Sequence, residues 1–567
     1  MWGRPLPKVV FLLAYLIAGL PQMAARLSAI SAGAIPVFLV LYSLCVAGLV
    51  GAAVVRHPVL RIVLAMLMAA ASVFQLSYEG AAAGPLNYGI AVDLVYEGHQ
   101  LGPALATFGI AILKAGCVSL CLSLAIALPP PVRRRCSARY ALLPAVAASL
   151  LLSGVVWQRG GFGAEGLPAA YPPLVYAGLM VLDEASKDVG TRPGLTGPPK
   201  TRRLAQDIVL IVDESVSGNY LDLTNADGVR SGLTEDRPGI RVINFGYAAS
   251  IGICSTSSNR VLRFGGTQKN FPTAVVHWPS IWRYAHRAGM RTVYIDAQLT
   301  GGARHNRMTA REAADIDVFH QFEGVPIALR DLKAAALIAR YSRNGRPDFI
   351  YVNKAGAHFP VTNKYPPSAT YYRPVLRPQG FAERAFADVF QSGIRPEDWR
   401  LYRNAYRNAL RWSVGEFFDQ LLAKIDLRHA TILYTSDHGQ DLHERGNPGA
   451  NTHCGTGSTA QEQGVVPLAI IEGDGRRTFD WQASLSANYD RASAFRIFPT
   501  MLALMGYDRA AIRRDYGHPL DERPDNEFAF VEDFQALGGT SPRFRLIDRS
   551  QIVRPPRTDF EPLPVAR

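Results

Sequence analysis

The chain has 567 residues, a formal net charge of +13, 48% apolar residues and only 19% charged ones. That length allows two or three domains, and the uneven composition excludes a uniformly soluble chain: Leu, Ala, Val, Gly and Ile dominate to about residue 157, and mixed charge begins after about residue 200. The positive charge is carried by scattered arginines with no aromatic-basic motif or recognition helix, so a membrane surface is expected as partner and a nucleic acid is not.

Five apolar runs come first: Val9 to Ala25, Ala34 to Val55, Leu60 to Tyr78, Ala104 to Leu128, and Tyr140 to Trp157. A bilayer core needs roughly 20 apolar residues as helix, and these runs bracket that length. The first could be a signal peptide behind Arg4 and Lys8, but four further spans favour a retained helix. Arg4 and Lys8, then Arg56 and Arg61, then Arg133, Arg134, Arg135 and Arg139 fall in alternate loops. The other loops carry Arg26 alone, or Glu79, Asp93 and Glu97 with no Lys or Arg. By the positive-inside rule the amino terminus is cytoplasmic and everything after Trp157 lies outside. Lys114 falls inside the fourth span, where it either faces a neighbouring helix or snorkels. Residues 1–157 are therefore expected as a five-helix transmembrane domain and 158–204 as a Gly- and Pro-rich linker. Within it, "YPPLVYAGLMVL" is too short to span and is expected at the interface or against the folded domain.

From 205 to 567 strand-like and helical runs alternate. "DIVLIVDE", "RTVYID", "PDFIYVNKAGAH" and "ATILYTSDHG" are continuous apolar strands, interleaved with helical "SIWRYAHRAGM", "YRNALRWSVGEFFDQLLAKI" and "RIFPTMLALMGY". This pattern predicts an α/β domain around a mostly parallel sheet covered on both faces. In such sheets sites form beyond the carboxyl ends of the strands. Those ends carry Asp213 and Glu214, His358, and Asp437 with His438. Carboxylates and imidazoles converging from separate strands suit a zinc or manganese site. Such an ion would activate an otherwise inert hydroxyl. A run of hydroxyls, Ser255-Thr256-Ser257-Ser258, waits in "GICSTSSNR".

"IVDES", "CSTSSNR", "GAHFPVTNKYPP", "YTSDHGQDL" and "THCGTGSTAQEQGVVPLAI", in that order behind five spans, resemble the lipopolysaccharide phosphoethanolamine transferases of the alkaline phosphatase and sulfatase superfamily. The resemblance covers nearly the whole chain. It implies Glu214, Thr256, Asp437 and His438 as metal ligands, for one Zn2+ with a second conceivable and Mn2+ less suited. It implies Thr256 as nucleophile, with Ser255 and Ser257 as alternatives, and His358 and His453 in phosphoryl binding or proton transfer. Lys364, Tyr365, Asn259 and Arg260 become candidate substrate contacts. The implied reaction moves phosphoethanolamine from phosphatidylethanolamine to a lipopolysaccharide-type glycolipid through a phospho-threonine, releasing diacylglycerol, at the bacterial inner membrane with the catalytic domain periplasmic. A phosphoglycerol transferase or phosphodiesterase of the same superfamily is the alternative. A non-catalytic scaffold would lack ligands, and none is missing.

The chain departs from the resemblance in its cysteines. Cys45, Cys117, Cys121 and Cys136 lie in or beside the membrane part, leaving only Cys254 and Cys454 outside. In an oxidising compartment two such cysteines either pair, here tethering the nucleophile loop to that of His453, or remain small buried thiols. Cys254 lacks the Pro and Arg register of a sulfatase nucleophile. Asp213 is either a strand-end cap or a support for the metal site. His277, His286, His305, His320, His429 and His518 are expected in core or surface roles, and His443 is a weak site candidate.

Overall fold

The structure, a computed structural model, describes residues 6–82, 84–96, 101–130, 136–186, 198–302, 305–375, 396–446, 452–454, 460–533, 537, 542–555 and 561–562. Arg4, Glu97 and Arg133 to Arg135 of the charge pattern lie outside the described residues, as do residues 455–459 of the His453 motif.

The amino-terminal part is helical. Helices α1 (Leu6–Ala18) and α2 (Leu20–Ala29) meet at a 41° bend, so the first apolar run is a broken pair rather than one straight span. The break falls at Gly19 with Pro21 opening α2, where proline lacks the N–H that would continue the helix. The remaining helices here are α3 (Ile35–Val54), α4 (Pro58–Ala82), α5 (Tyr88–Tyr96), α6 (Leu101–Ala127), α7 (Ala138–Ala141), α8 (Leu143–Gln158) and α9 (Pro172–Ser186). Among the described residues four helical stretches are long and apolar enough to cross a membrane, five if the bent pair counts as one span. Two of the basic residues in the orienting loops cap helix ends: Lys8 Nζ donates to the carbonyl of Ile126, and Arg61 Nε to that of Ala127. Both meet the terminal carbonyls of α6, which have no helical partner of their own.

The segment expected as a linker is built into this helical part. Ala164, Ala170 and Tyr171 are buried in its core, and α9 adds Val175, Tyr176 and Leu179. The chain between Trp157 and α9 is rich in Gly and Ala, which lets it press against α2: Gly166 leaves no room for a Cβ beside Arg26.

The rest of the chain is the α/β domain. Its strands include β1 (Asp207–Asp213), β2 (Ile240–Ala249), β3 (Arg291–Asp296), β4 (Val318–His320), β5 (Asp348–Asn353), β6 (Tyr372–Arg373), β7 (Ala430–Ser436), β8 (Val465–Gly473) and β9 (Ala492–Ser493). Eight of them form one sheet in the order β4-β3-β5-β1-β7-β8-β2-β9, with only β8 antiparallel to its neighbours. Strand β1 shows why: all seven of its residues are buried. Val209 and Ile211 enter one apolar core, while Ile208, Leu210 and Val212 enter the other on the opposite face.

A buried ion pair joins β1 to the chain leaving β5. Lys354 Nζ lies 2.8 Å from Asp213 Oδ2, both side chains fully buried, and the ammonium sits 4.0 Å from the centre of the Phe417 ring. Tyr434 donates a second hydrogen bond to the same carboxylate oxygen. Asp213, the residue before Glu214, thus fixes two strand ends to one another. Removing one partner of a buried pair strands the other charge. Lys354→Met is therefore expected to cost roughly 3–5 kcal/mol in chemical unfolding, with much of the loss restored in Lys354→Met/Asp213→Leu.

Candidate active site

The carboxyl edge of the sheet brings the sequence candidates together. Glu214 follows β1, Asp437 and His438 follow β7, and the turn after β5 leads to His358. Strand β2 leads into α10 (Ser255–Phe264), whose first turn is the hydroxyl run. Two glycines make the approach close. At Gly356, with φ +50°, a Cβ would fall 2.3 Å from the Glu214 carbonyl oxygen. At Gly439 it would fall 2.3 Å from that of Glu462. The Ala357 N–H then donates to the Glu214 carbonyl at 2.9 Å, and buried Asp331 accepts the N–H groups of Ala355 and Gly356.

Glu214, Asp437 and His438 are buried and offer ligand atoms within 4.8 Å of one another. His438 Nδ1 bonds to the carbonyl of Gly439 at 2.8 Å, which fixes the ring and turns Nε2 to the cluster. Nε2 lies 3.4 Å from Glu214 Oε1 and 3.7 Å from Asp437 Oδ2. Asp437 Oδ1 accepts the N–H groups of Ser215 and His438, whereas its buried Oδ2 has no hydrogen-bond partner. Ligands about 2 Å from a tetrahedral ion stand about 3.3 Å apart, so the separations and the orphaned oxygen fit a divalent cation.

Charge makes the same argument. Burial and the neighbouring charge of Glu214 push Asp437 up to about 8. Burial alone would lower His438, but Asp437 and Glu214 outweigh it and hold the imidazole up at about 9. Against the same burial, the hydrogen bond of His438 and the charge of His358 keep Glu214 well below the usual carboxylate range. At neutral pH the cluster thus holds two protons that one divalent cation would replace.

The hydroxyl at this cluster is that of Ser255. Its Oγ lies 3.0 Å from Glu214 Oε1 and 3.3 Å from His438 Nε2. Thr256 is half-buried on the same turn, and its hydroxyl makes no hydrogen bond among the described residues. The reason is local: Cys254 is the helix N-cap, so Ser255 occupies the first helical position, and each following residue is rotated by about 100°. Ser258 Oγ is engaged with the N–H of Gly252, and Ser257 is buried. The positive end of α10 also favours developing negative charge on its first residue.

Cys254 and Cys454 form a disulfide with a Cα separation of 5.1 Å, across 200 residues of chain. The Cys454 N–H donates to the Ile253 carbonyl at 3.1 Å, a second tie between these loops. His453 consequently stacks on His438 at 4.5 Å between ring centres and meets His358 edge-on at 5.6 Å. Burial, with Glu214 opposing and Lys364 adding to it, lowers His358. Burial and the two other imidazoles hold His453 well below the usual histidine range. Both shifts favour the neutral imidazole.

The lesser candidates divide. Lys364 is buried and close enough to repel a proton on His358, whereas Tyr365 packs in the apolar core. Asn259 accepts from the hydroxyl of Tyr351 and donates to the carbonyl of Ser255, so it braces the turn. Arg260 is half-buried on α10. His443 stacks on Trp399 with ring centres 3.9 Å apart. Sequence reasoning missed Gln298, which follows β3 and donates to Glu214 Oε2 at 3.0 Å and to the Lys354 carbonyl. Its position just past a strand end was the available signal.

The sulfatase family model matches residues 276–507, a span holding His358, Asp437, His438 and His453. A comparison with curated proteins finds no match. Among solved structures the chain is similar to the integral membrane lipooligosaccharide phosphoethanolamine transferase A of Neisseria meningitidis. The TM-score is 0.59 at 14% identity, over 91% of this chain and 99% of that one. Weaker likenesses join it to the C-terminal periplasmic domain of an Escherichia coli protein of the EptC type. That domain gives 17% identity over 64% and 98% of the two chains, with a TM-score of 0.46. Its complex with zinc gives 16% over 62% and 100%, with a TM-score of 0.44. Residues 276–507 thus match the sulfatase family model, and the chain as a whole, with helices long and apolar enough to cross a membrane ahead of an α/β domain, shares the fold of an integral membrane phosphoethanolamine transferase.

Proposed function

We propose that the protein is a membrane-anchored phosphotransferase that moves phosphoethanolamine from phosphatidylethanolamine to a cell-envelope glycolipid of the lipopolysaccharide type. It would work at the inner membrane, with the α/β domain in the periplasm as 205–567 and the helices of 1–157 spanning the bilayer. The observation that carries the reading is the contact of Ser255 Oγ with Glu214 and His438, at the carboxyl edge of a sulfatase-type sheet.

Glu214, Asp437 and His438 would hold one Zn2+, the divalent ion suited to a small, mixed carboxylate and imidazole set. That ion supplies charge to lower the pKa of a hydroxyl and to polarise a phosphoryl oxygen. The nucleophile in this reading is Ser255, not the Thr256 implied by resemblance. Ser255 Oγ attacks phosphorus; the new Oγ–P bond forms as the bond from phosphorus to the diacylglycerol oxygen breaks. The serine proton passes to a neutral histidine, His358 or His453, which gives it to the departing alcohol. In the second half the acceptor oxygen attacks, a histidine takes its proton, and the Oγ–P bond breaks with the proton returned to Ser255. Gln298 keeps Glu214 oriented throughout, and Lys364 offers positive charge beside His358.

Ser255→Ala is expected to lose transfer by about a thousandfold or more while Thr256→Ala stays within about tenfold. Peptide mapping after incubation with headgroup-labelled phosphatidylethanolamine should find the label on Ser255; label on Thr256 reverses the assignment. Zn2+ binding must displace the protons of Asp437, held to about 8, and His438, held to about 9. Apparent affinity should therefore rise between one and two decades per pH unit up to about pH 8 and flatten above about 9, with proton release. Calorimetry in buffers of different ionisation enthalpy measures both, and a pH-independent affinity contradicts this assignment of ligands.

A further inference from the structure

Lys114 has no part in the chemistry above, yet it is a charged side chain within an apolar helix. It is exposed on α6, carries no ion pair or hydrogen bond among the described residues, and lines a partly open cavity of about 240 Å³ between α1, α2, α3, α4, α6 and the segment before α9. Intramembrane charges are expensive and are retained where something meets them. Glu79, at the end of α4 that leads out of the membrane towards α5, lines the same cavity with its Oε1 held by Gln75 at 2.8 Å. The nearby acid Glu165 is not available, because it pairs with Arg26 at 2.9 Å.

Two further features make this a built site rather than a packing gap. Gln22 lines the cavity, and its Oε1 is buried with no hydrogen-bond partner. Two wall positions, Gly19 and Gly80, carry no side chain, and a Cβ at Gly80 would lie 3.4 Å from the Ala111 Cβ on α6. Tyr15 is pinned on another side by the Ala170 N–H and the Ser72 hydroxyl, which both donate to its oxygen.

We propose that this cavity binds the headgroup of an aminophospholipid, its phosphate on the Lys114 ammonium and its ammonium between the Glu79 carboxylate and Gln22 Oε1. One cation, one anion and one bare acceptor are the complement of a zwitterion with an N–H-bearing amine. A quaternary amine has no N–H to offer Gln22, and a glycerol headgroup leaves Glu79 without a cation. The site is a holding place for the lipid class from which the proposed transfer draws; it rests on that reading for the role of the lipid, and on the cavity alone for its binding.

The test is lipid retention by the full-length protein, purified in detergent from vesicles of phosphatidylethanolamine, phosphatidylcholine and phosphatidylglycerol in equal parts and read by native mass spectrometry. It uses the Ser255→Ala background so that no lipid is consumed. Phosphatidylethanolamine should be retained at least tenfold over the other two. Glu79→Gln should erase the preference while some lipid stays bound, Lys114→Met should lose all three, and Gly80→Leu should fill the cavity and exclude lipid while leaving Zn2+ binding intact. Equal retention of the three lipids, or unchanged preference in Lys114→Met and Gly80→Leu, overturns the site. A wild-type protein that retains phosphatidylethanolamine in this way and transfers nothing keeps the site and overturns the reading of function. Transfer without preferential retention does the reverse.

Discussion

The constraint on which this molecule turns is the convergence of two carboxylates and an imidazole in a dry pocket at the ends of two adjacent parallel strands. Because β1 and β7 pair in register from Asp207 with Ala430 to Asp213 with Ser436, the residue after each strand arrives at the same height. Glu214 and Asp437 are thereby forced together, and burial forbids both from being charged without compensation. Protons on Asp437 and His438 supply that compensation here, and in the proposed reaction a divalent cation would replace them. The surrounding bonds follow from it: every hydrogen bond made by Asp437 goes to one of its oxygens, leaving the other aimed inward.

Around this cluster the fold gives the reacting groups fixed supports. The first turn of α10 presents one hydroxyl, and its N-cap is covalently tied to the loop of His453. A single covalent link thus sets the turn of Ser255 and the loop of His453, the nucleophile and one base of the proposed reaction, relative to each other. His358, the other base in that proposal, is held from a different strand through Gly356 and Asp331. Preorganised geometry of this kind is the main resource of phosphoryl transfer, in which there is little covalent work for the protein beyond one bond exchange.

Much of this was legible in the sequence. Continuous β-branched runs ending in acids and histidines gave the sheet, its parallel character and the edge where chemistry collects. The ligands were readable because strand ends are fixed by hydrophobic pattern. Which hydroxyl meets them was not, since it depends on where α10 begins. Cys254 at the N-cap makes Ser255 the inward residue, a rotation that no residue type in "CSTSSNR" announces. Nothing in the sequence marks Lys354, whose burial against Asp213 and Phe417 arises only from the tertiary crossing of β1, β5 and the helix bearing Phe417. The apolar run at the amino terminus showed length but not its bend, although Gly19 and Pro21 marked the place. The stretch after Trp157 read as a linker because Gly and Pro dominate it; its small residues instead allow close packing on the membrane helices.

The same edge of the domain is anchored to the membrane part. Arg263, fully buried on α10, pairs with Glu312 at 2.7 Å and donates to the carbonyl of Asn306. The next residue, Arg307, pairs with Asp93 of α5 at 2.6 Å and lies over the ring of Tyr96. Asn306 and Arg307 both hold positive φ, 52° and 56°, a conformation that side-chain-bearing residues adopt only when the surroundings impose it. Asn306 is itself buried, so this turn is clamped between α10 and α5. A charged bridge two hydrogen-bonded steps long therefore connects the helix that presents Ser255 to α5, the helix that follows the third apolar stretch of chain. The proposed reaction, whose donor is a lipid, requires the nucleophile to be held at a fixed height above the bilayer. A short chain of ion pairs, rather than a flexible tether, meets that requirement.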